Sequence, residues 1–321
     1  MTESAFRKRR EASWKEFEMM IGGGRREIRG RASEFPAAFR GLTQDLNTAR
    51  AHGFDAAIIE RLNILVSEGS QILYGQYEWS FRLFARFVLR TFPRKVRSHW
   101  RGIGAAFLVF YGLAFFSAFL CVRFPDLVYE FISESQAESV AEMYNPESGH
   151  FLLPPDVSSN ADMFGFYIYN NISIAFRTFA GGVLAGIGSL FILSLNGIFL
   201  GAAAAHIINL GFAETFFPFI IGHGSFELTA IILSAYAGLL LGYRFFIPGG
   251  LSRGAALRKA GRDALPLVTG SALFLIAAAV IEAFWSSRHT LPSALRLGAG
   301  AAGWALVGLY LFFTGRKGDD R

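Results

Sequence analysis

The sequence predicts an all-α protein, a polytopic membrane helix bundle of about six transmembrane helices behind an N-terminal helical cytoplasmic domain. Three observations carry this. Hydrophobic residues make up 52% of the 321 and charged residues only 17%, against about a quarter in soluble domains. Between Arg177 and Arg244, 66 residues hold two acids, Glu214 and Glu227, two histidines, His206 and His223, and no Lys or Arg. Positive and negative charges are also segregated along the chain instead of mixed.

Residues 1–100 read as a basic helical domain. Trp14, Phe17 and Ile21 form an apolar stripe at helical spacing, broken by Gly22, Gly23 and Gly24. Two more helical patterns, around Leu42–Ala51 and Ala56–Tyr74, follow Pro36 and Gly53. From Ser80 to Arg90, Arg82, Arg86 and Arg90 recur every four residues among Phe81, Leu83, Phe84, Phe87 and Val88. That pattern suits an amphipathic helix on an anionic leaflet and equally a solvated helix feeding the first span.

Residues 101–321 form the bundle. A span needs about 20 mostly apolar residues, and such runs fall near 102–122, 173–195, 197–213, 224–246, 266–285 and 297–314. Phe216, Phe217 and Pro218 lie between the third and fourth, where a short re-entrant turn or an ordinary loop is expected. Residues 1–101 hold 19 Lys/Arg against 11 Asp/Glu, a balance of +8. The loop 124–172 holds no Lys or Arg and eight acids: Asp126, Glu130, Glu134, Glu138, Glu142, Glu147, Asp156 and Asp162. Basic segments stay in the cytoplasm, so the loop is expected outside and both termini inside, in the inner membrane. Arg253, Arg258, Lys259 and Arg262, and the tail residues Arg316 and Lys317, then fall on the cytoplasmic side. The pI near 9.6 reflects this topology, and nucleic acid is not an expected partner.

Glu130, Glu134, Glu138 and Glu142 fall at four-residue spacing, where like charges cost about 0.2–0.5 kcal/mol per pair. A cation or basic partner would offset that. A plain solvated face backed by Leu127, Phe131 and Ile132 explains it as well.

Polar groups inside the apolar runs are the candidate site: Asn170, Asn171, Asn196, Gly197, His223, Gly224 and Glu227. An ionisable side chain in hydrocarbon costs several kcal/mol unless paired or solvated. His223 and Glu227 share a helix face one turn apart, which suits a structural polar lock, a proton relay or a partial metal site. A third ligand would come from Asn170, Asn171, Asn196, His206 or Glu214. Asn170 and Asn171 read as an N-cap opening the second span, and Asn196-Gly197 as a turn closing it. Glu282 lies near the outer end of the fifth span, within reach of the interface. Gly181, Gly182, Gly186, Gly188, Gly197 and Gly201 include small-xxx-small pairs that permit close helix packing.

The single Cys121 offers neither a disulfide nor a Cys-based metal site. Phosphate-loop, nucleophile-elbow, dinucleotide and CxxC signatures do not occur. No catalytic residue, metal or cofactor is assigned, and a non-enzymatic role is favoured.

Asn170-Asn171, Phe176, Gly181-Gly182, Gly186, Gly188, Leu195-Asn196-Gly197 and Gly201, then His223-Gly224, Phe226-Glu227, Ala230, Ala237-Gly238 and Gly242, occur in an order that resembles the stage II sporulation protein M family. Trp14, Phe17, Phe39-Arg40, Asp45-Leu46, Ala49-Arg50, Leu62-Asn63 and Val66 are similar as well. One departure is Gly222, where the family usually has Pro before His-Gly. The resemblance implies a polytopic protein whose founding member anchors peptidoglycan-degrading partners during engulfment. Many relatives occur in bacteria that do not sporulate, often encoded near AAA-type ATPases. It therefore implies a scaffold for a cell-envelope complex, with the bilayer, envelope or peptidoglycan-associated proteins and its own copies as partners. The alternative is a transporter or channel around His223, Glu227 and Asn196, and a weaker one is a membrane-embedded metal hydrolase.

Overall fold

The computed structural model describes residues 2–23, 30–31, 33–73, 81–149, 151–152, 160–287 and 291–316. Gly24, Tyr74, Ser80, Asp156 and Lys317, named above, lie outside them. The described residues are helical, and their contacts divide the chain into two units, Met1–Phe84 and Ala85–Arg321.

The first unit contains α1 (Glu3–Gly22), α2 (Phe35–Ala51) and α3 (Ala56–Leu73). Trp14 and Phe17 pack with Phe35, Phe39, Leu42, Leu46 and Leu62 in its core, and Ile21 packs against that core. The buried Asp45 carboxylate accepts Arg10 Nε at 2.8 and 2.9 Å and Trp14 Nε1 at 2.8 Å. Arg61 joins Glu11 and Glu18 from across the unit.

The second unit starts from α4 (Phe92–Ser98) and α5 (Trp100–Arg123). One helical turn at Val128–Phe131 and α6 (Glu134–Tyr144) follow, then α7 (Asn160–Ala180), α8 (Ile187–Asn209) and α9 (Ala213–Phe246). The unit ends with α10 (Arg253–Ile281), a π-helical turn (Glu282–Ser286) and α11 (Ser293–Phe313). Among the described residues five helices are long and apolar enough to cross a membrane: α5, α8, α9, α10 with its π turn, and α11. α7 packs with α8, α9 and α10, but Asn170 and Asn171 fall in its middle and make it more polar. Phe107, Leu108, Phe115, Phe116 and Phe119 of α5 and Leu306, Leu309 and Phe312 of α11 are exposed. Such an apolar exterior suits lipid and would be costly in water. The protein is an all-α, multi-pass membrane bundle.

Several element boundaries differ from the sequence expectation. Asn196-Gly197 is not a turn, because α8 runs through it. The break falls instead at Gly181–Gly186, where Ala185 (φ 57°) and Gly186 (φ 83°) adopt the left-handed conformation that reverses the chain. Gly197 and Gly201 instead face α5. A Cβ on Gly197 would lie 2.5 Å from the Phe110 carbonyl oxygen, and one on Gly201 would meet the Ala114 carbonyl and Ser117 Oγ. Asn-Gly here is a packing signal, and the local turn propensity loses to tertiary contact. Asn170 and Asn171 likewise sit within α7 and cap nothing. Phe216, Phe217 and Pro218 form neither loop nor re-entrant turn: the connection is Leu210–Phe212, and Pro218 lies inside α9, where it removes one i→i−4 hydrogen bond without ending the helix.

The two ends of the bundle differ in charge. At one end Lys95 Nζ meets Asp263 Oδ1 at 2.7 Å, Arg97 donates to the Leu311 carbonyl and Tyr310 to the Val88 carbonyl. Arg86, Arg90, Arg94 and Arg316 line an open groove there with Lys95. The start of α4 and the end of α11 therefore lie on the same side. At the other end Asn209 Nδ2 donates to the Cys121 carbonyl and Thr215 Oγ1 to the Tyr144 carbonyl. α6 lies there, started by a Ser133–Gln136 capping box. Glu134, Glu138 and Glu142 on α6 are all exposed, as is Glu130. Ile132 is buried, with Leu127 and Phe131 packed beside it on Cys121, Ala202 and Ala205.

Candidate functional site

α9 enters the bundle with a run of small residues around His223, which lets neighbouring helices approach its backbone. A Cβ on Gly222 would lie 2.7 Å from Ser286 Oγ, so glycine here permits close approach of the π turn and does not mark a flexible hinge. His223 is 3% exposed. Its Nδ1 pairs with Ser286 Oγ at 3.2 Å, and Phe219 meets the ring edge-on. Its Nε2 faces two carboxylates, Glu227 Oε2 at 3.5 Å and Glu282 Oε1 at 3.7 Å. The three ligand-type atoms lie within 4.8 Å of one another.

Glu282 also lies elsewhere than the sequence predicts. It does not reach the interface: it is 5% exposed and turns inward. The π turn, one residue wider per loop than an α-helix, presents Glu282 and Ser286 together toward α9. Among the described residues His223 is the only basic side chain within 4 Å of either Glu227 or Glu282. Glu282 therefore joins the pair where His206 and Glu214 do not, and Asn170, Asn171 and Asn196 line the same cavity. Glu214 is exposed, and His206 packs edge-on against Tyr129, away from the cluster. A glutamate 55 residues downstream of Glu227 has no spacing signal to reveal it. The only available hint was an acid inside an apolar run.

These groups open on a cavity of about 300 Å³ between α7, α8, α9 and the π turn. Asn170, Asn171, Asn196, His223, Gly224 and Glu227 all line it, and so do Tyr144, Tyr167 and Glu282. Gly197 is not among its walls. Asn170 is exposed at the margin and donates to Asn171 Oδ1 at 3.2 Å, and Asn196 Nδ2 donates back to the Ile192 carbonyl. Tyr167 OH, Asn171 Nδ2 and Glu282 Oε2 are fully buried without a hydrogen bond of good geometry, although Asn171 lies within reach of the Glu282 carboxyl. Buried polar atoms are nearly always paired, with protein groups or with water, and these three all line the one cavity.

A family described as Stage II sporulation protein M matches residues 105–287, more than half of the chain. The chain belongs to the stage II sporulation protein M family. The match contains the whole cluster, from Asn170 on α7 to Ser286 in the π turn. A second family, described as a domain of unknown function (DUF8413), matches residues 4–75, so the N-terminal likeness is carried by a separate family. Comparison with the curated proteins and with the solved structures gives no match.

Proposed function

We propose that this stage II sporulation protein M family member is a non-enzymatic scaffold of a cell-envelope complex in the inner membrane, with both termini cytoplasmic. The observation that carries the reading is the pair of oppositely charged faces at the two ends of one bundle. Glu134, Glu138 and Glu142 project from α6 at one end, while Arg86, Arg90, Arg94 and Lys95 gather at the other. The apolar side of the acidic segment is packed down on the bundle, which orients the glutamates away from it. Three like charges kept on one helix face are mildly unfavourable, and a basic envelope partner offsets that. The basic end suits the anionic inner leaflet.

The test is affinity capture of the full chain from native membranes, beside a variant carrying Glu134→Lys, Glu138→Lys and Glu142→Lys. The wild type should recover a reproducible set of envelope proteins that the variant loses. Recovery of no reproducible partner, or of an unchanged set by the variant, sinks the reading.

One observation favours a transporter or channel as the second reading: the polar residues of α7, α8 and α9 surround a cavity instead of a dry helix interface. Solute flux across vesicles containing only this protein would support it, and Asn196→Leu should then abolish that flux.

A further inference from the structure

We propose that His223, Glu227 and Glu282 bind one divalent transition-metal ion of the zinc class, with its open coordination position facing the cavity. The inference stands on the geometry of the cluster and is independent of what α6 docks.

The distances are the first ground. Nε2 lies 3.5 and 3.7 Å from the two carboxylate oxygens, beyond the 2.7–3.2 Å of an N–H···O hydrogen bond. Ligand atoms at about 2.1 Å from a tetrahedral metal are about 3.4 Å apart, close to these two distances, and the edge between the two carboxylates stays within 4.8 Å. The cluster is too open for a direct hydrogen-bonded lock and about the right size for a shared cation.

The arrangement around the imidazole is the second. Ser286 Oγ engages Nδ1, which fixes the ring and leaves Nε2 toward the carboxylates. Metal-bound imidazoles usually have their other nitrogen held by such an outer partner. The donor set of one nitrogen and two carboxylate oxygens, brought by two elements distant in sequence, suits zinc and its first-row neighbours better than Mg²⁺ or Ca²⁺, which take oxygen ligands alone.

Charge is the third. Two carboxyl groups buried with oxygens within 4.8 Å of one another cannot both be ionised without a counter-charge, and a divalent ion supplies it for both at once. Glu282 Oε2, Asn171 Nδ2 and Tyr167 OH line the same cavity. They are placed to engage a water or a ligand oxygen that completes the coordination.

The experiment uses the full chain purified in detergent with a tag free of histidine and no chelator, and plasma mass spectrometry counts the metal. The wild type should carry close to one first-row ion per chain. After chelation and dialysis, added Zn²⁺ should restore one equivalent and raise the melting temperature. Glu282→Gln, which preserves side-chain volume, should bind Zn²⁺ more than about tenfold more weakly, and Ser286→Ala about 10–100-fold more weakly. Ser194→Ala, on α8 outside the cavity, should bind as the wild type does. If Glu282→Gln does not insert, the wild-type count and His223→Asn carry the test. A wild-type chain with no first-row metal and no response to Zn²⁺ overturns the proposal. So does a Zn²⁺ response that survives His223→Asn.

Discussion

Ser286 and Gly222 show how one side chain and one missing side chain set the His223 ring. Gly222→Ala would place a Cβ 2.7 Å from Ser286 Oγ, forcing that hydroxyl away from Nδ1. The lost hydrogen bond should lower stability by about 1 kcal/mol, read as a lower melting temperature in detergent; an unchanged melt would mean that the bond contributes nothing. Asp45 is the corresponding residue of the first unit. Asp45→Ala leaves Trp14 Nε1 buried without an acceptor and Arg10 unpaired, at a cost of about 1–3 kcal/mol. Faster proteolysis within residues 3–73 of the intact protein would show it. The Arg61 guanidinium beside Glu11 holds that carboxyl below its ordinary value of 4.5. Its contribution is complete above the unfolded carboxylate's pKa and is lost as pH falls through the depressed folded value. Acid below about pH 4.5 should therefore loosen wild-type residues 3–73 more than it loosens those of Arg61→Gln, where the contribution is already gone.

Among the elements, the α5–α8 seam depends on backbone-close packing. Gly201→Val would drive a side chain into the Ala114 carbonyl and Ser117 Oγ, whereas a Cβ on Gly112 of α5 meets nothing within 4 Å. Gly201→Val should cost about 1–3 kcal/mol by overpacking, and Gly112→Ala should be neutral or slightly stabilising. Equal melting temperatures for the two would refute the seam. The same glycine spacing was visible in the sequence as a packing signal, but its partner helix was not. The break at Gly181–Gly186 was harder to read. Its glycines look like the rest of a long apolar stretch, and only the positive φ at Ala185 and Gly186 marks the reversal.

For the whole molecule the decisive quantity is orientation. The charge contrast between the α6 end and the α4 end predicts which side each occupies. In a Cys121→Ala background, Glu138→Cys should react with an impermeant maleimide on intact cells, and Ser98→Cys only after permeabilisation. The reverse pattern would invert the topology, and the placement of the docking faces with it.

The sequence by itself determined the class of this protein, because apolar run length and charge segregation are one-dimensional properties that a bilayer reads directly. It also determined the family, through Asn170-Asn171, Asn196-Gly197 and His223-Gly224 in their order along the chain. It singled out His223 and Glu227, since a buried ionisable group is conspicuous in an apolar run. Only the tertiary structure decided what joins them. Glu282 and Ser286 come from a separate helix whose π turn aims them at His223, and no periodicity within one segment can report a contact between two. The cavity is likewise a property of how α7, α8, α9 and the π turn fail to close on one another, and its shape exists only once they pack.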